Sequence, residues 1–255
     1  MRKIAFLAGG YGPLSPEAER RHKILMSAAT SGTQIDMYGG KGSIESRVGK
    51  YVPPTDGKRT SIESIYDEYL AVPHELKIAI EAEQEGYDAI ILSCGNDPGI
   101  DALREAVSIP VIGQGNSSMH ICSLTSHRFS RLLTHRVGRQ RLHRLCYENY
   151  NGLMKWVSSR DIGMTVLEVR DNPVKTIEAA VKHGKLAINE DGADALTWSC
   201  GSMSFTPGLA QRLMEELKVP VVNPIEAAVR MAEYAVDFKI KHSKLGYPTP
   251  KQFIE

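Results

Sequence analysis

Cysteine is scarce in this chain: four in 255 residues, at Cys94, Cys122, Cys146 and Cys200. None lies in Cys-x-x-Cys or beside clustered histidines, so the spacings of zinc sites are missing and no metal is expected. Charge of one sign is not in excess either. Thirty-one Lys and Arg face thirty Asp and Glu, a net +1, so nothing draws the whole chain to nucleic acid or a membrane. Long apolar runs are absent. The N-terminal MRKIAFLAGGYGP is too short in its apolar part for a signal peptide or a span and reads as a buried first strand. The expected compartment is therefore the reducing cytoplasm, with free thiols. A nucleotide loop is missing too. Gly9-Gly10-Tyr11-Gly12 lacks the third glycine of a dinucleotide fingerprint and any Gly-Lys-Ser/Thr. It reads as a strand-to-helix turn with Ser15 as N-cap and Pro16 in the first turn. No cofactor is expected, and the partner expected is a small molecule.

One absence is local. Residues 106–147 contain no Asp or Glu, while His127 to Arg144 carries six Arg and three His. Phe129 is the sole Phe, Tyr or Trp from His127 to Arg144, so the aromatic interleaving of nucleic-acid surfaces is missing. The stretch reads as a solvated face or a contact between subunits.

What is present is alternation. Strands are expected at Lys3–Ala8, Gln34–Met37, Ala89–Leu92, Val111–Gly113, Phe129–Thr134, Met164–Val169, Ala195–Thr197 and Val219–Val222. Helices are expected at Pro16–Ala29, Val72–Glu85, Pro98–Val107, Arg139–Val157, Pro173–Glu190, Pro207–Leu217 and Ile225–Lys239. Strands alternating with helices imply an α/β fold with mostly parallel sheets, whose ligands bind beyond the carboxyl ends of the strands.

The alternation also repeats. GYDAIILSCGNDPG (Gly86 to Gly99) resembles GADALTWSCGSMSFTPG (Gly192 to Gly208). Each has a Gly eight positions before a Cys in Ser-Cys-Gly, then Pro-Gly, then a later Pro-Val at Pro110-Val111 and Pro220-Val221. Two related lobes follow, residues 1–114 and 115–223, with the C-terminal helix in 224–255 expected to pack back on the first. Each thiol should sit at the carboxyl end of a strand, near a helix capped by Asp97 or Thr206. Free N–H groups there would lower its pKa from about 8.5. Inverting a carbon centre by proton transfer needs an acid and a base on opposite faces. Two copies of one corner, related by an approximate two-fold axis, supply them. Cys94 and Cys200 are the candidate pair; Cys122 and Cys146 lack the corner and are core candidates.

Ser-Cys-Gly-Asn-Asp-Pro-Gly at 93–99 and Trp-Ser-Cys-Gly-Ser-Met at 198–203 resemble the two cysteine motifs of the aspartate/glutamate/hydantoin racemase superfamily. Ser61-Ile62-Glu63-Ser64, Tyr66-Asp67-Glu68, Ala71-Val72-Pro73, and His127 to Ser130 with Thr134 resemble its hydantoin and allantoin racemase branch. The resemblance covers about residues 1 to 235. It implies two pseudo-symmetric, Rossmann-like lobes with the site in the cleft between them, a cofactor-independent racemase or epimerase, and a homo-oligomer. It implies Cys94 and Cys200 as the acid/base pair. Gly95, Asn96, Gly201 and Ser202 would bind substrate oxygens, and Ser61, Ile62 and Thr134 would line the pocket.

The chain departs from that pattern in places. The family's Asn-Pro-Asn-Thr-Ser is replaced by Gly9 to Ser15, and about twenty extra residues, Gly42 to Thr60, read as a loop. The second corner is three residues longer before its Pro. Arg131 stands where an apolar strand residue is expected, so it needs a partner or an edge strand. The substrate stays open: a hydantoin-like ureide, free aspartate or glutamate, or an unsaturated dicarboxylate undergoing cis–trans isomerisation. A non-catalytic binding module is disfavoured, since it needs neither thiol.

Overall fold

The computed structural model describes residues 1–7, 16–38, 61–134 and 155–251. Gly9 to Ser15, the insertion Gly42 to Thr60, Cys146 and the Arg-rich stretch beyond Thr134 lie outside the described residues.

Two parallel sheets carry the fold. The first holds β1 (Arg2–Leu7), β2 (Thr33–Tyr38), β3 (Ala89–Leu92) and β4 (Val111–Ile112), in the order β2-β1-β3-β4. The second holds β5 (Phe129–Leu133), β6 (Trp156–Asp161) and β7 (Ala195–Trp198), in the order β6-β5-β7, and a bridge from Leu196 to Val221 extends it. Both sheets are covered by helices, which explains why Ala89–Leu92 and Ala195–Trp198 are continuous buried runs.

The two sheets share several bonds at equivalent places. Ile4 faces Ala89 as Phe129 faces Ala195. Ile90 N donates to Pro110 O at 2.8 Å, as Leu196 N donates to Pro220 O at 3.0 Å. Gly86 and Gly192 take positive φ, 75° and 68°, the left-handed turn that leads from helix into strand. Asp88 accepts from Lys3 N and Asp194 from Arg128 N, both at 2.7 Å, pinning each Cys-bearing strand to the central one. Each Cys thus follows the third strand of its own sheet.

The helices are α1 (Pro16–Ala28), α2 (Ile65–Gln84), α3 (Ile100–Ala106), α4 (Gln114–Thr125), α5 (Val166–Asp171), α6 (Pro173–Asn189), α7 (Gly201–Ser204), α8 (Leu209–Leu217) and α9 (Pro224–Asp237). Helix α9 packs on the first sheet. Ile225, Ala228, Val229 and Ala232 share a core with Ile4, Phe6, Ala89 and Ile91, and Asp237 binds the Arg2 guanidinium. Helix α4 packs on the second sheet through Met119 and Cys122, against Phe129, Leu133 and Ala195.

Three expectations are corrected. The segment expected as strand Met164–Val169 is mostly helix α5. Thr165 caps it in a capping box with Glu168, which closes the backbone into a turn. The strand paired with β5 is instead β6, which includes Trp156 and Val157 from the end of the expected helix Arg139–Val157. Helix α4 was not expected at all. Its sequence QGNSSMHICSLT has no apolar stripe, and buried Ser117 and Ser118 bond back to Gly113 O and Gly115 O.

Candidate active site

The cysteine corners meet backbone to backbone, and reciprocally. A methyl group on Gly95 would overlap Ser199 C and O; one on Gly201 would lie 2.5 Å from Ser93 O. The residue after each Cys therefore rests on the carbonyl before the other Cys. Only glycine permits so close an approach. The contact is what an approximate two-fold axis between the motifs requires, and it leaves Cys94 and Cys200, both free thiols, near enough for Cys200 to act on Cys94 electrostatically.

The helix starts are not those expected. The N-cap of α3 is Gly99 and that of α8 is Gly208, both left-handed. Asp97, with φ of 50°, instead caps α4, accepting from Gly115 N at 3.1 Å and Asn116 N at 2.6 Å. Thr206 bonds back to Ser202 O. Cys200 is itself the N-cap of the short α7.

The thiol pKa expectation is likewise reversed. Burial pushes the Cys94 thiol up to about 12, against the Asn96 backbone N–H, with the carboxyls of Glu75 and Asp97 and the Cys200 thiol pushing the same way. Burial raises the Cys200 thiol as well, opposed by the backbone N–H groups of Met203 and Ser202 and by the Arg21 guanidinium, while Glu63 adds to the rise. Desolvation outweighs the donors at both thiols, with Cys200 buried and Cys94 partly buried at the surface of its corner. The surroundings nonetheless differ: acids alone act on Cys94 among the charged groups, whereas Cys200 has both a cation, Arg21, and an acid, Glu63, near it.

The remaining expected residues divide between the corners. Asn96 donates its side-chain amide to Glu68 at 2.7 Å. Ser202 Oγ accepts from Arg21 at 3.2 Å. Ser61 donates to Glu63, whose carboxylate receives Val166 N at the start of α5 in the second lobe, at 3.1 and 3.2 Å. Ile62 lies within this crossing segment and is partly buried. Thr134 follows β5, and its carbonyl receives Met164 N.

Several charged residues at the site were not expected there. Arg21 is buried, bonded to Glu17 as well as Ser202, and its guanidinium lies 4.6 Å from the centre of the Phe205 ring. Glu75 is 3% exposed, and its Oε2 has no hydrogen-bond partner among the described residues. Burial and the Asp97 carboxyl raise its pKa to about 8. Glu63 was visible within Ser61 to Ser64, where its chemistry went unassigned. Arg21 and Glu75 lie on helices that read as ordinary amphipathic segments. Among the described residues no group of three or more His, Cys, Asp and Glu side chains could hold a metal ion, and no helix is long and apolar enough to cross a membrane.

Two like parallel sheets whose third strands bring paired Ser-Cys-Gly corners together define a class of two-lobed α/β proteins with the thiols at the join. The Asp/Glu/Hydantoin racemase family model matches residues 52–232, and this chain belongs to that family. It is 36% identical over 197 residues to the hydantoin racemase of Pseudomonas sp. (strain NS671), covering 76% of this chain and 78% of the relative. It is 32% identical over 197 residues to that of Paenarthrobacter aurescens, covering 76% and 82%. Among solved structures it resembles the allantoin racemase from Klebsiella pneumoniae with a TM-score of 0.80 and 26% identity, over 98% of this chain and 94% of the other.

Proposed function

We propose that the protein is a cofactor-independent racemase or epimerase acting on a hydantoin-like or amino-acid-derived substrate, with Cys94 and Cys200 as its acid/base pair. The observation that carries this is the reciprocal seating of Gly95 on Ser199 and Gly201 on Ser93. It gives two equivalent thiol corners one shared space. One thiolate removes the proton from the stereocentre, leaving the electron pair delocalised onto the adjacent carbonyl. The opposite thiol gives its proton to the other face of the same carbon. Thiol and thiolate have then exchanged places, with no net change in electrons or protons. Burial works against the thiolate this step needs, since proton transfer is most efficient when the pKa of the group lies near the working pH. The N–H groups of Asn96, Ser202 and Met203 that approach the sulfurs hold that thiolate.

Gly95, Asn96, Gly201, Ser202, Ser61, Ile62 and Thr134 are assigned to the substrate pocket. Residues 1–114 and 115–223 are assigned to its two walls. A reducing cytoplasm and a homo-oligomer complete the reading. A cyclic ureide is favoured over a free amino acid, because the buried cation at the Cys200 corner, Arg21, is already bonded to Glu17 and Ser202. The test is deuterium incorporation from heavy water into a panel of 5-substituted hydantoins, allantoin, aspartate, glutamate and unsaturated dicarboxylates. Incorporation with loss of optical rotation in the ureides is expected. Activity confined to the amino acids or the dicarboxylates would refute the substrate assignment.

A further inference from the structure

A buried arginine in the middle of a sheet is costly unless its charge and its donors are met. Arg131 is 1% exposed and sits on β5, the central strand of the second sheet. It therefore has no edge through which to reach water. Its Nη2 donates to Gly95 O at 2.8 Å and, at 3.4 Å, to Trp198 O, while Nη1 lies 3.6 Å from Met119 Sδ. Gly95 follows Cys94; Trp198 stands two residues before Cys200. One nitrogen thus touches both cysteine corners, which belong to different sheets. The counter-charge is close. A methyl on Gly115 would lie 3.0 Å from Asp97 Oδ2 and 3.3 Å from Arg131 Nη2, so carboxylate and guanidinium flank one glycine. Asp97 is fixed in turn by the Gly115 and Asn116 amides in the first turn of α4. A planar guanidinium holds such a geometry where an ammonium on a flexible stem does not.

We propose that Arg131 is a positioning residue that fixes the two cysteine corners relative to each other, with Asp97 as its counter-charge. The assignment rests on the two-thiol reading only for its catalytic consequence; the mechanical part stands on the hydrogen bonds. Two-face proton transfer depends on thiol placement, and a misplacement of about 1 Å costs on the order of 100-fold in rate.

The experiment is amide hydrogen exchange by mass spectrometry on the full chain carrying Arg131→Met, Arg131→Lys or Asp97→Asn. It is paired with racemisation of the two enantiomers of 5-benzylhydantoin. In Arg131→Met, the segments 93–99 and 199–205 should both exchange at least about 10-fold faster, while β1 exchanges as in the parent. Arg131→Lys and Asp97→Asn should loosen both segments to a lesser degree. The turnover number should fall about 10- to 100-fold in both directions with KM within a few-fold. Deuterium exchange without inversion should rise relative to inversion. Loosening of one corner only, of neither, or of all segments equally overturns the proposal. If Arg131→Met does not fold, the lysine variant is decisive by the same criterion. Loosened corners with undiminished racemisation would instead refute the two-thiol reading.

Discussion

Glu75 shows how much one buried side chain carries at this site. Folding encloses its carboxyl, and burial with the neighbouring Asp97 raises its pKa from 4.5 to about 8. A raised pKa means that the folded chain binds the proton more tightly than the unfolded one. The stability linked to Glu75 is therefore complete below about pH 4.5 and is lost as the pH climbs through about 8. Glu75→Gln removes the titration while keeping the shape. Urea midpoints measured between pH 5 and pH 8.5 should decline less for the variant than for the parent, and the variant should be the more stable of the two at pH 8.5. Parallel curves would show that Glu75 ionises freely. None of this was legible in the sequence, where Glu75 sits in a run of ordinary helical residues. Burial of a single carboxylate depends on the tertiary fold, and the charge that adds to the shift, Asp97, is 22 positions further along. Arg131 is the contrasting case. Its oddness in an apolar strand was legible, and only the fold could show that its partners are backbone carbonyls on both corners.

At the scale of elements, strands and long helices followed from periodicity because their apolar faces are buried against a sheet. The exceptions have local causes. Helix α2 begins at Ile65, seven residues ahead of the expected start, because Ser64 caps it and Pro73 is accommodated inside. Helix α4 is polar and is held at its start by Asp97 from a distant loop. Helix α5 is set by a capping box, a signal that competes with the apolar run beside it. The corners themselves were legible as a repeat; what was hidden is that they press on each other. That contact makes a sharp prediction. Gly95→Ala should be the more damaging of the two alanine substitutions, since its methyl overlaps Ser199 backbone, while Gly201→Ala meets Ser93 O alone at 2.5 Å. Overpacking of this kind typically costs about 1–3 kcal/mol. Thermal unfolding of both variants, with racemisation rates, checks the order. Two variants with parent-like stability and rate would mean that the corners are not in contact.

At the scale of the whole molecule, the chain builds one α/β unit twice, and the copies meet at the corners that follow their third strands. The shared hydrogen bonds at Pro110 and Pro220, and at Asp88 and Asp194, show how closely the second copy follows the first. The surroundings of the thiols have nevertheless diverged, with Glu75 and Asp97 behind Cys94 and the opposed charges of Arg21 and Glu63 near Cys200. Equivalent geometry with unequal electrostatics predicts unequal turnover numbers for the two directions, offset by KM, because enantiomers of equal free energy require equal kcat/KM. The most direct measurement is exchange of each substrate enantiomer in heavy water by Cys94→Ser and by Cys200→Ser. Both variants should lose racemisation, and each should keep exchange with one enantiomer only, the two showing opposite preferences. If both favour the same enantiomer, or if only one replacement matters, the face-to-face thiol pair is not the mechanism.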